Sequence, residues 1–166
     1  FDYLLYKMKV TAMTTKLTFF IMLFALSAGM ANVNALTVDD FVLIDHTGKA
    51  QQLYYDQSAQ AIVLISQSNG CAAVQSSVAD MKALRDDYAS QGVKVFMVNS
   101  NPLDKRAAII DEAKQWNIDI PILDDSSGII GQSLALNNAS EVLVISSDKH
   151  ELLYRGPLNN NLAEGG

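Results

Sequence analysis

The feature that most constrains this chain is a β-α-β pattern at its centre. Residues 61–66 (AIVLIS) form a short run of β-branched residues and Leu, apolar on both faces, which predicts a buried central strand. A polar loop follows, Gln67-Ser68-Asn69-Gly70-Cys71. Val74, Val78, Met81, Leu84 and Tyr88 then recur at helical spacing, and Gln91-Gly92 supplies a helix stop. Residues 93–99 (VKVFMVN) read as the next strand. A strand, a helix and a second strand of one sheet imply a parallel pair joined by a right-handed crossover, and hence an α/β fold. Cys71 falls in the first turn of the crossover helix.

The flanking segments extend the pattern. Residues 41–45 (FVLID) and 51–55 (QQLYY) flank His46-Thr47-Gly48-Lys49 and predict a β-hairpin. Asn101 before Pro102 predicts a capped helix running to about Trp116. Residues 118–123 contain Pro121 and read as an edge strand. Asp124 to Ser127 predict the cap of a short helix over 128–136. Residues 141–146 (EVLVIS) and 151–154 (ELLY) predict an antiparallel hairpin around Ser147-Asp148-Lys149-His150.

Charge and cysteine count exclude several functions. The formal net charge is −6, and such a surface repels phosphate backbones, so no nucleic-acid partner is expected. A single cysteine rules out both an intrachain disulfide and a cysteine-based zinc cage. No Gly-rich phosphate loop is present, so no nucleotide cofactor is expected. His46 and His150 sit in turns without clustered partners, and no metal site is expected. Lys7, Lys9 and Lys16 flank the apolar residues 17–30 (LTFFIMLFALSAGM), and Val33-Asn34-Ala35 offers small residues at a cleavage position. Residues 1–35 thus read as a signal peptide or an N-terminal anchor. The protein is expected to be exported, to the periplasm or cell envelope.

The order of elements, and the residues at its key points, resemble the redoxin (AhpC/TSA, peroxiredoxin-like) family of the thioredoxin-fold superfamily. The resemblance lies in the segment from Ile62 to Cys71, in Val98-Asn99-Ser100-Asn101, in Ile120-Pro121-Ile122-Leu123-Asp124-Asp125, in residues 141–145 and in Tyr154-Arg155-Gly156. It implies an α/β, thioredoxin-like domain over residues 36–158: a central mixed sheet flanked by helices, with an N-terminal β-hairpin. The family's closing C-terminal helix has no counterpart in residues 159–166, which read as a truncated tail. Peroxiredoxins carry P-x-x-x-T-x-x-C; here Leu64 replaces the Pro, and Ser68 stands where the Thr would be. A thioredoxin-type C-x-x-C would need a cysteine at Val74. The family's cis-proline is replaced by Ser140, which is expected to be trans because a cis bond outside proline costs about 3–4 kcal/mol.

The resemblance implies a thiol-dependent oxidoreductase, peroxiredoxin-like or disulfide-exchanging, with antioxidant activity. Cys71 would be its catalytic nucleophile, with Ser68 donating to the sulfur or to a peroxide oxygen. Gly70, Ser140 and Arg155 would support it, Gly70 by permitting a tight turn and Arg155 as the candidate cation. A helix N-terminus favours the reactive thiolate. With one cysteine, an external thiol or disulfide partner protein must complete the cycle. The competing readings are a buried, inert Cys71 and a non-catalytic binding or scaffold module of a larger envelope protein.

Overall fold

The apolar run at 61–66 becomes the middle strand of a five-stranded sheet. The computed structural model describes residues 36–158. The leader read at 1–35 and the tail at 159–166 lie outside the described residues. The elements are β1 (Val42–Ile44), β2 (Ala50–Gln52), β3 (Ala61–Gln67), α1 (Ala72–Ala89), β4 (Val93–Asn99), α2 (Arg106–Gln115), β5 (Ile122–Asp124), α3 (Ile129–Ser133), β6 (Glu141–Ser146) and β7 (Leu152–Pro157). The large sheet has the order β5-β4-β3-β6-β7, while β1 and β2 pair as a separate hairpin. β3–β4 and β4–β5 are parallel, and β3–β6 and β6–β7 antiparallel, so the sheet is mixed as expected.

Strand alternation divides the core. Val63 and Ile65 face one side of the sheet and pack with Val95 and Met97 against Val74 and Met81 of α1 and Ile109 and Ala113 of α2. Ile62 and Leu64 face the other side and meet Leu143, Ile145, Leu134 and the segment carrying Val38, Leu53 and Tyr54. Each fully buried Ile, Leu, Val or Met stabilises the fold by about 1.5–3 kcal/mol relative to exposure. These two layers fix β3, and with it the loop that leads to Cys71.

The outer edge of β5 is not bare. His46 donates its N–H to the Ile122 carbonyl (2.8 Å), and the Ile122 N–H donates to His46 Nδ1 (3.1 Å). The β1–β2 turn thereby covers a strand edge that would otherwise invite pairing with another chain. Burial, opposed by Asp45 and aided by Arg106, pushes the His46 pKa down, consistent with an imidazole that accepts at Nδ1. Asp45 anchors the same turn through bonds from Thr47, Lys49 and Gln51.

Three boundaries differ from the sequence reading. The helix expected from Pro102 begins at Arg106, with Lys105 at its N-cap. Asn101 caps a local turn instead: its Oδ1 accepts from the Leu103 N–H (3.1 Å), and its Nδ2 donates to Asp104 (3.1 Å). The short helix spans Ile129–Ser133 rather than 128–136, because Ala135 takes a positive φ of 49°. Cys71 is the N-cap residue of α1, one position before its first turn.

Candidate functional site

The site grows from the C-terminal ends of β3 and β4, where Gln67 and Asn99 are paired in register. Both are buried, and Asn99 Nδ2 donates to Gln67 Oε1 (2.7 Å). Asn99 Nδ2 also reaches Asp104 (2.9 Å). From this knot the chain leaves β3 through Ser68, Asn69 and Gly70. Gly70 has φ +73°, a left-handed conformation that side chains other than Gly rarely adopt. The Cys71 N–H donates to the Ser68 carbonyl (3.3 Å) and closes the turn.

Cys71 then enters α1 with extended backbone angles, φ −76° and ψ 114°. Its side chain makes no capping hydrogen bond, and the first turn of α1 has no acidic residue. The leading N–H groups of the helix thus point toward the sulfur's end of the helix without a side-chain acceptor from Cys71. The residue is half-buried, packing against the core cluster beside Val74 while keeping contact with solvent.

Two carboxylates hold the loop from the side of α2. Asp104 accepts from the Asn69 N–H (2.9 Å) and the Ser68 hydroxyl (3.4 Å). Glu112 accepts from the Gly70 N–H (2.5 Å) and from Gln67 Nε2 (2.9 Å). Burial raises the Glu112 pKa, against the lowering effect of its bonds to Gly70 and Gln67. Neither carboxylate was singled out from the sequence. The available signal was the repeated amide- and hydroxyl-rich exit of two adjacent parallel strands, Gln67-Ser68-Asn69 and Asn99-Ser100-Asn101. The crevice at such strand ends is where α/β folds gather functional groups.

The other candidate residues are placed as follows. Ser68 directs its hydroxyl to Asp104 (3.4 Å). Arg155 lies on β7. Its guanidinium donates to the Leu134 and Ala135 carbonyls at the end of α3 and lies 3.9 Å from Glu141, so it ties β7 to that helix end. Every described peptide bond is trans, that of Ser140 included. Ser140 has φ +66°; its N–H donates to the Ser66 carbonyl (2.8 Å), and its hydroxyl is buried without a partner. Ala139, just before it, joins the same apolar cluster as Cys71.

A cavity of about 180 Å³ opens between these loops, lined by Ser66, Gln67, Ser68, Asn101, Asn138 and Ala139 among others. Cys71 is not part of its lining. No group of His, Cys, Asp and Glu able to hold a metal occurs among the described residues.

A five-stranded mixed sheet with a cysteine at the start of the helix after its central strand defines a thioredoxin-like fold. The chain belongs to the AhpC/TSA family, whose model matches residues 36–155. A search of curated protein sequences finds no match. Solved structures of the same fold include a hypothetical protein from Sinorhizobium meliloti 1021, 24% identical with TM-score 0.64, covering 75% of this chain and 70% of that one. A thiol-disulfide oxidoreductase from Bacteroides fragilis is similar at 14% identity and TM-score 0.63, over 78% and 98% of the two chains. The peroxidoxin BcpB from Mycobacterium tuberculosis is similar at 17% identity and TM-score 0.64, over 78% and 91%.

Proposed function

We propose that the protein is an exported thiol-dependent oxidoreductase that works through Cys71 alone and is reset by an external thiol. The observation that carries this reading is the half-exposed Cys71 at the N-cap of α1, with no side chain of its own end capping the helix. The thiolate attacks one sulfur of an external disulfide, forming a mixed disulfide with Cys71 and expelling the other sulfur as thiolate. A second external thiolate then attacks the partner sulfur of that mixed disulfide, releases Cys71 as thiolate and leaves a new external disulfide. The same nucleophile can attack a peroxide, taking one oxygen as sulfenic acid and expelling hydroxide or alkoxide. One external thiol converts the sulfenic acid to a mixed disulfide and water, and a second frees Cys71.

Disulfide exchange is the better supported of these routes. It needs only the nucleophile, because the partner supplies the leaving sulfur. Peroxide reduction also calls for donors on the departing oxygen, and Ser68 and Arg155 spend theirs elsewhere. Export rests on the apolar residues 17–30 and their basic flank; the mass of the mature protein tests it, cleavage after Ala35 being the expected result. The deciding experiment compares wild type and Cys71→Ser for turnover of a glutathione-linked peptide disulfide and of hydrogen peroxide, each with a thiol reductant. Wild-type turnover lost in Cys71→Ser supports the proposal; equal rates end it. A binding-only module is favoured by the diversion of Ser68 and Arg155 from the sulfur, and a folded wild type with no turnover of either substrate would select it.

A further inference from the structure

We propose that Glu112 is the positioning residue that fixes the Cys71 loop, acting through the Gly70 N–H and holding the loop together with Asp104. The inference rests on the reading of Cys71 as the nucleophile. Three residues, Ser68, Asn69 and Gly70, lie between β3 and the N-cap Cys71, and their conformation decides where the sulfur points. All three residues are gripped from outside the loop: the Ser68 hydroxyl and the Asn69 N–H by Asp104, and the Gly70 N–H by Glu112. Gly70 is the weak point, since glycine in a left-handed conformation has other basins open to it. Its N–H is also the last one before Cys71, and Glu112 accepts it at 2.5 Å.

Glu112 is committed to this task. Its second oxygen takes the Gln67 side chain at 2.9 Å, and through Gln67 and Asn99 the carboxylate is tied into the strand ends of β3 and β4. No ion pair joins Glu112 to a cation among the described residues. A carboxylate gives no electrostatic help to the formation of another anion. Its contribution to the reaction is therefore geometric: it holds the sulfur's carrier loop in one place, and misplacement of a nucleophile by about 1 Å can cost a hundredfold in rate.

The test separates reach from charge. Glu112→Gln keeps one acceptor oxygen for the Gly70 N–H at the same reach without the charge, giving up the Gln67 bond; Glu112→Asp keeps the charge but is one methylene too short for Gly70. The full-length protein is assayed for the rate at which Cys71 attacks an aromatic disulfide, and for deuterium exchange at the Gly70 amide. Glu112→Asp and Glu112→Ala should react about tenfold more slowly and exchange Gly70 faster, while Glu112→Gln stays within about threefold of wild type. The reverse order, Gln slow and Asp unchanged, would overturn the assignment, as would wild-type rates in all three. Should wild-type Cys71 itself prove inert, the proposed function fails. The role of Glu112 is then decided by Gly70 exchange, which must still rise in Glu112→Asp for it to stand. If Glu112→Ala does not fold, the Gln and Asp pair decides the matter alone.

Discussion

Replacing Gly70 by Ala isolates the backbone strain on which the site is built. A Cβ added at Gly70 finds no atom within 4 Å, so steric clash with other residues contributes nothing. The Ala N–H remains available to Glu112, so that bond is kept as well. What is left is the left-handed φ of +73°, which costs an L-residue about 1–2 kcal/mol. Against this, Ala restricts the unfolded chain and returns about 0.4–1 kcal/mol. The net destabilisation is about 1 kcal/mol, and at about 2.1 cal/mol/K per residue that lowers the Tm of a domain this size by about 4 °C. Calorimetric melts of wild type, Gly70→Ala and Gly70→Asn provide the check. Asn tolerates the left-handed region better than Ala and should lose roughly half as much. A Gly70→Ala protein with an unchanged or higher Tm would refute the left-handed turn and the loop geometry derived from it.

Two other predictions concern the frame around the site. The lowered His46 pKa means that its contribution is fully present above pH 6.5 and is lost as pH falls through the native value. The Tm gap between wild type and His46→Gln should therefore shrink or reverse between about pH 7 and 5; a pH-independent gap would contradict the Nδ1 bond to Ile122. A Cβ on Gly131 would lie 2.4 Å from Ser100 Cβ, so Gly131→Ala should destabilise by about 1–3 kcal/mol in chemical denaturation. Combining it with Ser100→Gly should recover most of that loss, and strict additivity would count against the close contact.

The sequence carried the architecture further than the site. The run at 61–66, the helical spacing from Val74 to Tyr88 and the run at 93–99 place β3, α1 and β4 within a residue or two, because buried periodicity is a local property of the chain. Asn101-Pro102 misled for a tertiary reason. Asn101 and Asp104 are drawn into hydrogen bonds with each other and with Ser68, Asn69 and Asn99, so the helix waits until Arg106. Glu112 looks like an ordinary polar position on an amphipathic helix, and its bond to Gly70 joins residues 42 apart in sequence. Arg155 was legible as a cation but not as a helix-end ligand, since its carbonyl partners at Leu134 and Ala135 are about 20 residues distant. Cys71 itself was legible from its place after an apolar strand and a glycine; the partners of its loop were not.

The central claim is that folding activates Cys71. The most direct measurement is its alkylation rate by iodoacetamide at pH 7, native against denatured, with the site of modification verified by peptide mass. The account predicts that the native protein reacts faster than the denatured chain, because only folding sets Cys71 at the N-cap of α1. A native thiol that reacts more slowly than the denatured one, or only after unfolding, would contradict it.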